Sequence, residues 1–360
     1  MPILRPEIDA LSAYEVGRPI DDVARQYGVD PATLVKLTAN ESPFGPFPGV
    51  AEAIAAETSL NRYPDNQAWD LGHRLAGELG VAPENLLFGN GSTALIADLA
   101  SAVGGPGTKL VYPWPSFIMY RYAAAWAGME AVEVPLDAGF RMDLDAMADA
   151  IDDRTRMVML CNPNNPTGTI RSGDELEAFI RSVPGSVLVV VDEAYAEFVE
   201  DPSYRMMTDE AVRMPNVVTL HTFSKIYSLA GLRIGYAVGH ADTLRSVRKA
   251  QQPLTVNRIA QAAALASLGQ PDELRRRVEV NSAGRHYVSG ALAERGLRFV
   301  PSHTNFVFFE MPGDDSRAWA DAMLRHGVLV RPMSGGWMRV TIGLEEENRR
   351  FVEALDAVLG

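Results

Sequence analysis

A single cysteine, Cys161, is the only thiol in this chain of 360 residues. An internal disulfide is therefore excluded, and a reducing compartment, the cytoplasm, is the expected place. Positive charge is also short: 33 lysines and arginines stand against 46 aspartates and glutamates, a net charge of −13. A nucleic-acid surface is not expected of such a chain, although an acidic whole can still hold a basic pocket for acidic substrates. No apolar run approaches the ~20 residues of a membrane span. The stretch SVLVVV, residues 186–191, reads instead as a buried strand. The opening MPILRPEIDA has charges but no apolar stretch, so it does not read as a secretory signal. Internal repeats, low-complexity segments and long linkers are missing as well.

What is present is enough apolar residue, 47%, for a sizeable core. The length allows two domains or one large α/β unit. Chemistry concentrates in residues 221–239, HTFSKIYSLAGLRIGYAVG. Lys225 sits there among small and hydroxyl side chains. A lysine so placed can condense with an aldehyde where its surroundings favour the neutral amine. Thr222, Ser224 and Arg233 suit a phosphate. Alone, the stretch reads equally well as a surface lysine beside a buried strand. Upstream, Gly89-Asn90-Gly91-Ser92-Thr93 opens a helix, and a helix start offers free N–H groups and a positive dipole end to an anion. The run Asn162-Pro163-Asn164-Asn165-Pro166-Thr167-Gly168 can continue neither strand nor helix, so it is a shaped loop at a strand end. Asp192 closes the apolar run that precedes it, at another strand end, where α/β proteins place ligands. Cys161 reads as a small buried apolar residue.

Ser224-Lys225 followed by Gly231-Leu232-Arg233-Ile234-Gly235 resembles the lysine segment of class I/II aminotransferases, pyridoxal-phosphate enzymes of fold type I. Within these, the chain from about Leu37 onward is most similar to the histidinol-phosphate and aromatic aminotransferases. The resemblance implies an α/β large domain, residues 37–252, with a mostly parallel seven-stranded sheet flanked by helices. It further implies a small α+β domain at 253–360 and an arm at 1–36. Pyridoxal 5′-phosphate is the implied cofactor, with Lys225, Asp192 and Tyr195 as catalytic residues. Asp192 would pair with the ring nitrogen, Asn165 and Tyr195 would face the phenolate oxygen, and Phe117 would stack on the ring. Gly91, Ser92, Thr93, Thr222, Ser224 and Arg233 would hold the phosphate. Tyr63 would reach it from the partner subunit of a homodimer. Arg339 would grip the substrate carboxylate, with Arg331, Tyr14 and Asn40 nearby. The implied reaction moves an amino group from histidinol phosphate to 2-oxoglutarate. An aromatic amino acid is the alternative donor, and a phosphothreonine decarboxylase or a non-catalytic effector-binding module are remoter readings. One departure stands out: Thr93-Ala94 replaces an Asp-Glu that many relatives carry, which leaves the substrate subgroup open.

Overall fold

The computed structural model describes residues 5–13 and 20–360. Its strands, in chain order, are β1 (Val35–Leu37), β2 (Leu86–Gly89), β3 (Lys109–Trp114), β4 (Glu130–Pro135), β5 (Thr155–Cys161) and β6 (Leu188–Asp192). There follow β7 (Val217–Thr222), β8 (Gly235–Gly239), β9 (Phe299–Val300), β10 (Phe306–Glu310), β11 (Val328–Pro332) and β12 (Trp337–Thr341). Seven of them form one sheet in the order β2-β8-β7-β6-β5-β3-β4. All its pairings are parallel except those of β8, which runs against both β2 and β7. The mostly parallel seven-stranded sheet expected from the sequence is therefore present.

The unbroken apolar runs of β5 and β6 follow from burial on both faces. Alternation sends Leu188 and Val190 to one side, where Leu95, Leu99 and Ala123 of the helices Ser92–Val103 and Met119–Trp126 cover them. Val189 and Val191 face the other side, against Leu176, Phe179 and Ile180 of the helix Gly173–Ser182. Each fully buried Val or Leu contributes about 1.5–3 kcal/mol, so the central strands are held firmly and their ends are fixed points. The carboxyl ends of β2, β3, β5, β6 and β7 lie along one edge of the sheet. Because β8 is antiparallel, its start at Gly235, opposite both Gly89 and Thr222, comes to that same edge.

The second sheet, β1-β11-β12-β10-β9, packs its apolar face against the helices Pro271–Glu294 and Glu345–Leu359. Its first strand is a departure from the sequence reading. Val35–Leu37 straddles the expected boundary between the arm and the large domain, yet it pairs in parallel with Val328–Val330. Chain order hides this pairing, because a three-residue strand has no periodicity of its own. The helix Arg258–Ser267, beyond Pro253, packs Ala260, Ala263 and Ala264 with Leu71, Leu75 and Phe88 beside the large sheet. Packing is thus continuous across both expected divisions of the chain.

Candidate active site

Lys225 lies three residues past the end of β7 and is half-buried. Its Nζ faces the carbonyl oxygens of Ala39 (3.4 Å) and Asn40 (3.3 Å), and sits 5.6 Å from the centre of the Tyr195 ring. Burial pushes this amine down to about 8, helped by the nearby charges of Arg339 and Arg233 and opposed by Glu41 and Asp192. An amine so tuned is neutral in a usable fraction near physiological pH, which nucleophilic attack on a carbonyl requires.

Asp192 ends β6 and is 3% exposed. Burial pushes its carboxyl up to about 6. The Tyr120 hydroxyl, the Ala194 N–H and the Lys225 charge all work against that rise. Tyr120 Oη donates to Oδ2 at 2.8 Å, and Ala194 N–H to Oδ1 at 3.2 Å. Next to Asp192 in the sheet is Cys161, its register partner on β5. That thiol is buried and pushed up to about 12 by desolvation first and then by the Asp192 charge, so it is an inert packing group.

Asn165, in the loop after β5, accepts from Arg339 Nη1 through Oδ1 at 2.5 Å. That bond spends the carbonyl end of the amide and leaves the NH2 end as the available donor. Arg339 Nη2 donates to Thr38 O at 2.8 Å. Asn40, in the left-handed region at φ 53°, donates from Nδ2 to Tyr195 Oη at 2.9 Å; its own N–H goes to Thr341 Oγ1 at 3.0 Å. Burial raises the Tyr195 phenol above its usual range, so it remains a neutral O–H able to donate.

The anion seat is built from two ends of the same sheet edge. Gly91, at φ +78°, precedes the helix Ser92–Val103, whose start has no side-chain cap. A Cβ at Gly91 would lie 2.4 Å from Arg233 Nη2, and one at Gly235 would lie 2.7 Å from Ser92 N. Only glycine lets the guanidinium and the helix start close together in this way. Arg233, at φ 57°, donates to Ala230 O (3.0 Å) and reaches Ser224 Oγ (3.4 Å). Thr222 Oγ1 accepts from Ser224 N–H at 3.1 Å and so shapes the same turn.

Phe117 is half-buried, its ring edge-on to Tyr120 at 5.7 Å. Thr93 is in the first turn of its helix, which begins at Ser92. Arg331 lies directly across from Arg339 on the antiparallel pair β11–β12, which puts both side chains on one face. Tyr63 is 82% exposed. Tyr14 lies outside the described residues. Two further residues join this cluster that the sequence did not single out: Tyr120, which donates to Asp192, and Asn305, whose Nδ2 donates to the Asn40 carbonyl at 3.2 Å. Tyr120 was legible in principle, since it falls one helical turn after Phe117. Asn305 was not, because its partner is distant in the chain.

A tuned amine, a buried carboxylate and a glycine-shaped anion seat fit the aldehyde, ring nitrogen and phosphate of pyridoxal 5′-phosphate. Comparison with known proteins agrees. The sequence profile of aminotransferase class I and II matches residues 32–355. The chain is 43% identical to histidinol-phosphate aminotransferase 1 of Cupriavidus pinatubonensis, over 98% of this chain and 95% of that one. It is 42% identical to the aromatic amino acid aminotransferase of Streptomyces coelicolor, over 98% and 96%. The solved structure of histidinol-phosphate aminotransferase from Sinorhizobium meliloti, in complex with pyridoxal-5′-phosphate, superposes with a TM-score of 0.89 at 29% identity, covering 99% of this chain and 97% of that one. With a profile match over most of its length and relatives this similar, the chain belongs to aminotransferase class I and II and is a transaminase that works with pyridoxal 5′-phosphate.

Proposed function

We propose that the chain is a histidinol-phosphate:2-oxoglutarate aminotransferase of histidine synthesis, acting in the cytoplasm as a homodimer. The observation that carries the choice of donor is the face-to-face placement of Arg331 and Arg339 on neighbouring strands. Two guanidinium groups suit a phosphate dianion, whereas the carboxylate of an ordinary amino acid needs one fork. The same arginines would take a carboxylate of 2-oxoglutarate in the return half of the cycle. Relatives bearing the histidinol-phosphate name support the reading.

Bound here, the cofactor supplies an aldehyde for an amine and a protonated ring that draws electron density from the substrate carbon. Lys225 would be the base: its free amine would take the proton from the substrate carbon and pass it to the cofactor carbon that formed the aldehyde. Asp192 would keep the ring nitrogen protonated. Asn165 and Tyr195 would donate to the phenolate oxygen, and Phe117 would cover one face of the ring. Gly91, Ser92, Thr93, Thr222, Ser224 and Arg233 would seat the phosphate, with Tyr63 added from the second subunit. Asn40, tied to Tyr195, would line the substrate side, and Tyr14 of the arm is proposed as a further substrate contact.

A second reading, aromatic amino-acid aminotransferase, draws on relatives of that name at similar identity. Initial rates with histidinol phosphate and with phenylalanine, each against 2-oxoglutarate, decide between them. The expected kcat/KM is at least about tenfold higher for histidinol phosphate, and Arg331→Ala should erode that preference, as removing a charge-assisted contact does. A preference for phenylalanine would replace the first reading with the second.

A further inference from the structure

Tyr120 has no exposed surface, and its ring is fixed on two sides. Tyr112 meets it edge-on at 5.9 Å and 69°, Phe117 at 5.7 Å and 87°. The helix Met119–Trp126 that carries it is anchored in turn: Arg5 donates to Trp126 O at 2.9 Å, and Tyr122 Oη to Ser12 O at 2.6 Å. Held this way, the phenol ends 2.8 Å from Asp192 Oδ2, with the Cys161 thiol as its other neighbour. With Ala194 N–H on Oδ1, each carboxylate oxygen has one donor, so the plane of the group is set. One lone pair on each oxygen remains for a further partner.

We propose that Tyr120 is a positioning residue: its buried hydroxyl fixes the Asp192 carboxylate and favours its charged form, so that Asp192 stays an acceptor toward the cofactor ring nitrogen. This rests on the role given to Asp192 above. An ionised carboxylate only accepts, so the phenol must donate to it, and donation to the charged form stabilises that form. Without the hydroxyl, desolvation acts with one less opponent. The carboxyl then takes up a proton, and a neutral acid no longer holds the proton of the ring nitrogen. The ring of Tyr120 also touches Phe117, so one side chain braces both the group expected below the cofactor ring and the group expected at its nitrogen.

The test is a double-mutant cycle on the dissociation constant of pyridoxal 5′-phosphate, measured on the full-length apoprotein by tryptophan fluorescence, with apoprotein melting recorded alongside. Tyr120→Phe keeps the ring and its packing, so the fold is expected to survive. It should raise the dissociation constant about tenfold, the equivalent of one hydrogen bond to a charged group. Asp192→Asn should raise it further, and Tyr120→Phe added to Asp192→Asn should then change it by less than about twofold, because the hydroxyl acts through the carboxylate. An unchanged constant in Tyr120→Phe, or an equal loss in both backgrounds, overturns the proposal and leaves a packing tyrosine. Should Asp192→Asn itself bind the cofactor normally, the role of Asp192 fails first, which is a separate and recognisable result.

Discussion

Lysine is scarce in this chain, with residues at 36, 109, 225 and 249 only. Lys36 pairs with Glu41 at 2.9 Å, Lys109 with Asp152 at 2.5 Å, and Lys249 is exposed. Lys225 alone is held by backbone carbonyls and pushed down to about 8. Borohydride reduction of the cofactor-loaded protein should therefore fix the cofactor on one peptide, that of Lys225, and Lys225→Ala should take up none and lose turnover with its fold intact. Mass mapping that found the label on residue 36, 109 or 249 would remove Lys225 from its role. Below pH 8 the amine is mostly ammonium, so the rate of reconstitution from apoprotein should climb with pH and level off above about 8. Asp192 carries the opposite kind of cost. Its folded value of about 6 lies above the 3.8 of an ordinary aspartate, as in the unfolded chain, so between those pH values the folded protein holds a proton that the unfolded chain has released. Stability of the apoprotein then falls as pH rises through that window, and the whole cost stands above pH 6. Asp192→Asn should melt higher than the parent apoprotein at pH 7, by on the order of 1–3 kcal/mol. The gain should disappear below pH 4. Calorimetry of both apoproteins at the two pH values checks this, and an equal gain at both would mean that the buried charge is not its source.

At the scale of elements, the turn from β2 into the helix Ser92–Val103 works only because Gly91 has no side chain. Gly91→Ala meets two obstacles: φ +78° with ψ 162°, a region that is essentially glycine's alone and costs an L-residue roughly 1–3 kcal/mol, and an Arg233 Nη2 only 2.4 Å from the new Cβ. The guanidinium must move off the seat. The dissociation constant for pyridoxal 5′-phosphate should rise tenfold or more, whereas that for pyridoxal, which has no phosphate, should hold. Loss of both affinities alike would show a general collapse of the turn instead. Elements of this kind were legible in the sequence, because each joins an apolar run to a breaker within a few residues: Cys161 to Asn162-Pro163, Val191 to Asp192, Thr222 to Ser224-Lys225. Their gathering along one edge follows from parallel pairing, which the alternation of strand and helix already implies. Less local features were not legible. β1 takes its identity from a partner strand at Val328–Val330. The bond from Tyr120 to Asp192 spans 72 positions and joins a helix to a strand end, so neither periodicity nor turn chemistry reports it.

For the whole molecule, the net charge of −13 coexists with local positive charge where Arg233 and Arg339 lie near Lys225. The acidic substrates proposed above would meet attraction there. The loop that carries Tyr63 is the other feature of this scale. It is tied down from behind: Arg258 Nη1 donates to Tyr63 O at 3.2 Å, Gln261 Nε2 to Asp65 O at 2.8 Å, and Arg258 pairs with Glu57 at 3.2 Å. Yet Leu60 and Tyr63 on it, and Trp69 at the start of the helix Trp69–Leu79 that follows, face outward, 67%, 82% and 61% exposed. Large apolar side chains on a braced loop are a surface made to be covered, and a second copy of the chain is the occupant proposed above. If Tyr63 completes the phosphate seat of the other subunit, two crippled variants should repair one another. Tyr63→Ala and Lys225→Ala are each expected to be weak or inactive alone. In a mixed dimer, the subunit that keeps Lys225 receives a Tyr63 from its Lys225→Ala partner, so one of the two sites is whole. Equal mixing with free exchange makes half the dimers mixed, and activity should return to about a quarter of the parent value per subunit, as two-fold symmetry dictates. If native mass spectrometry shows that subunits have exchanged while activity stays at the level of the separate variants, Tyr63 serves its own subunit or none, and the shared site is wrong.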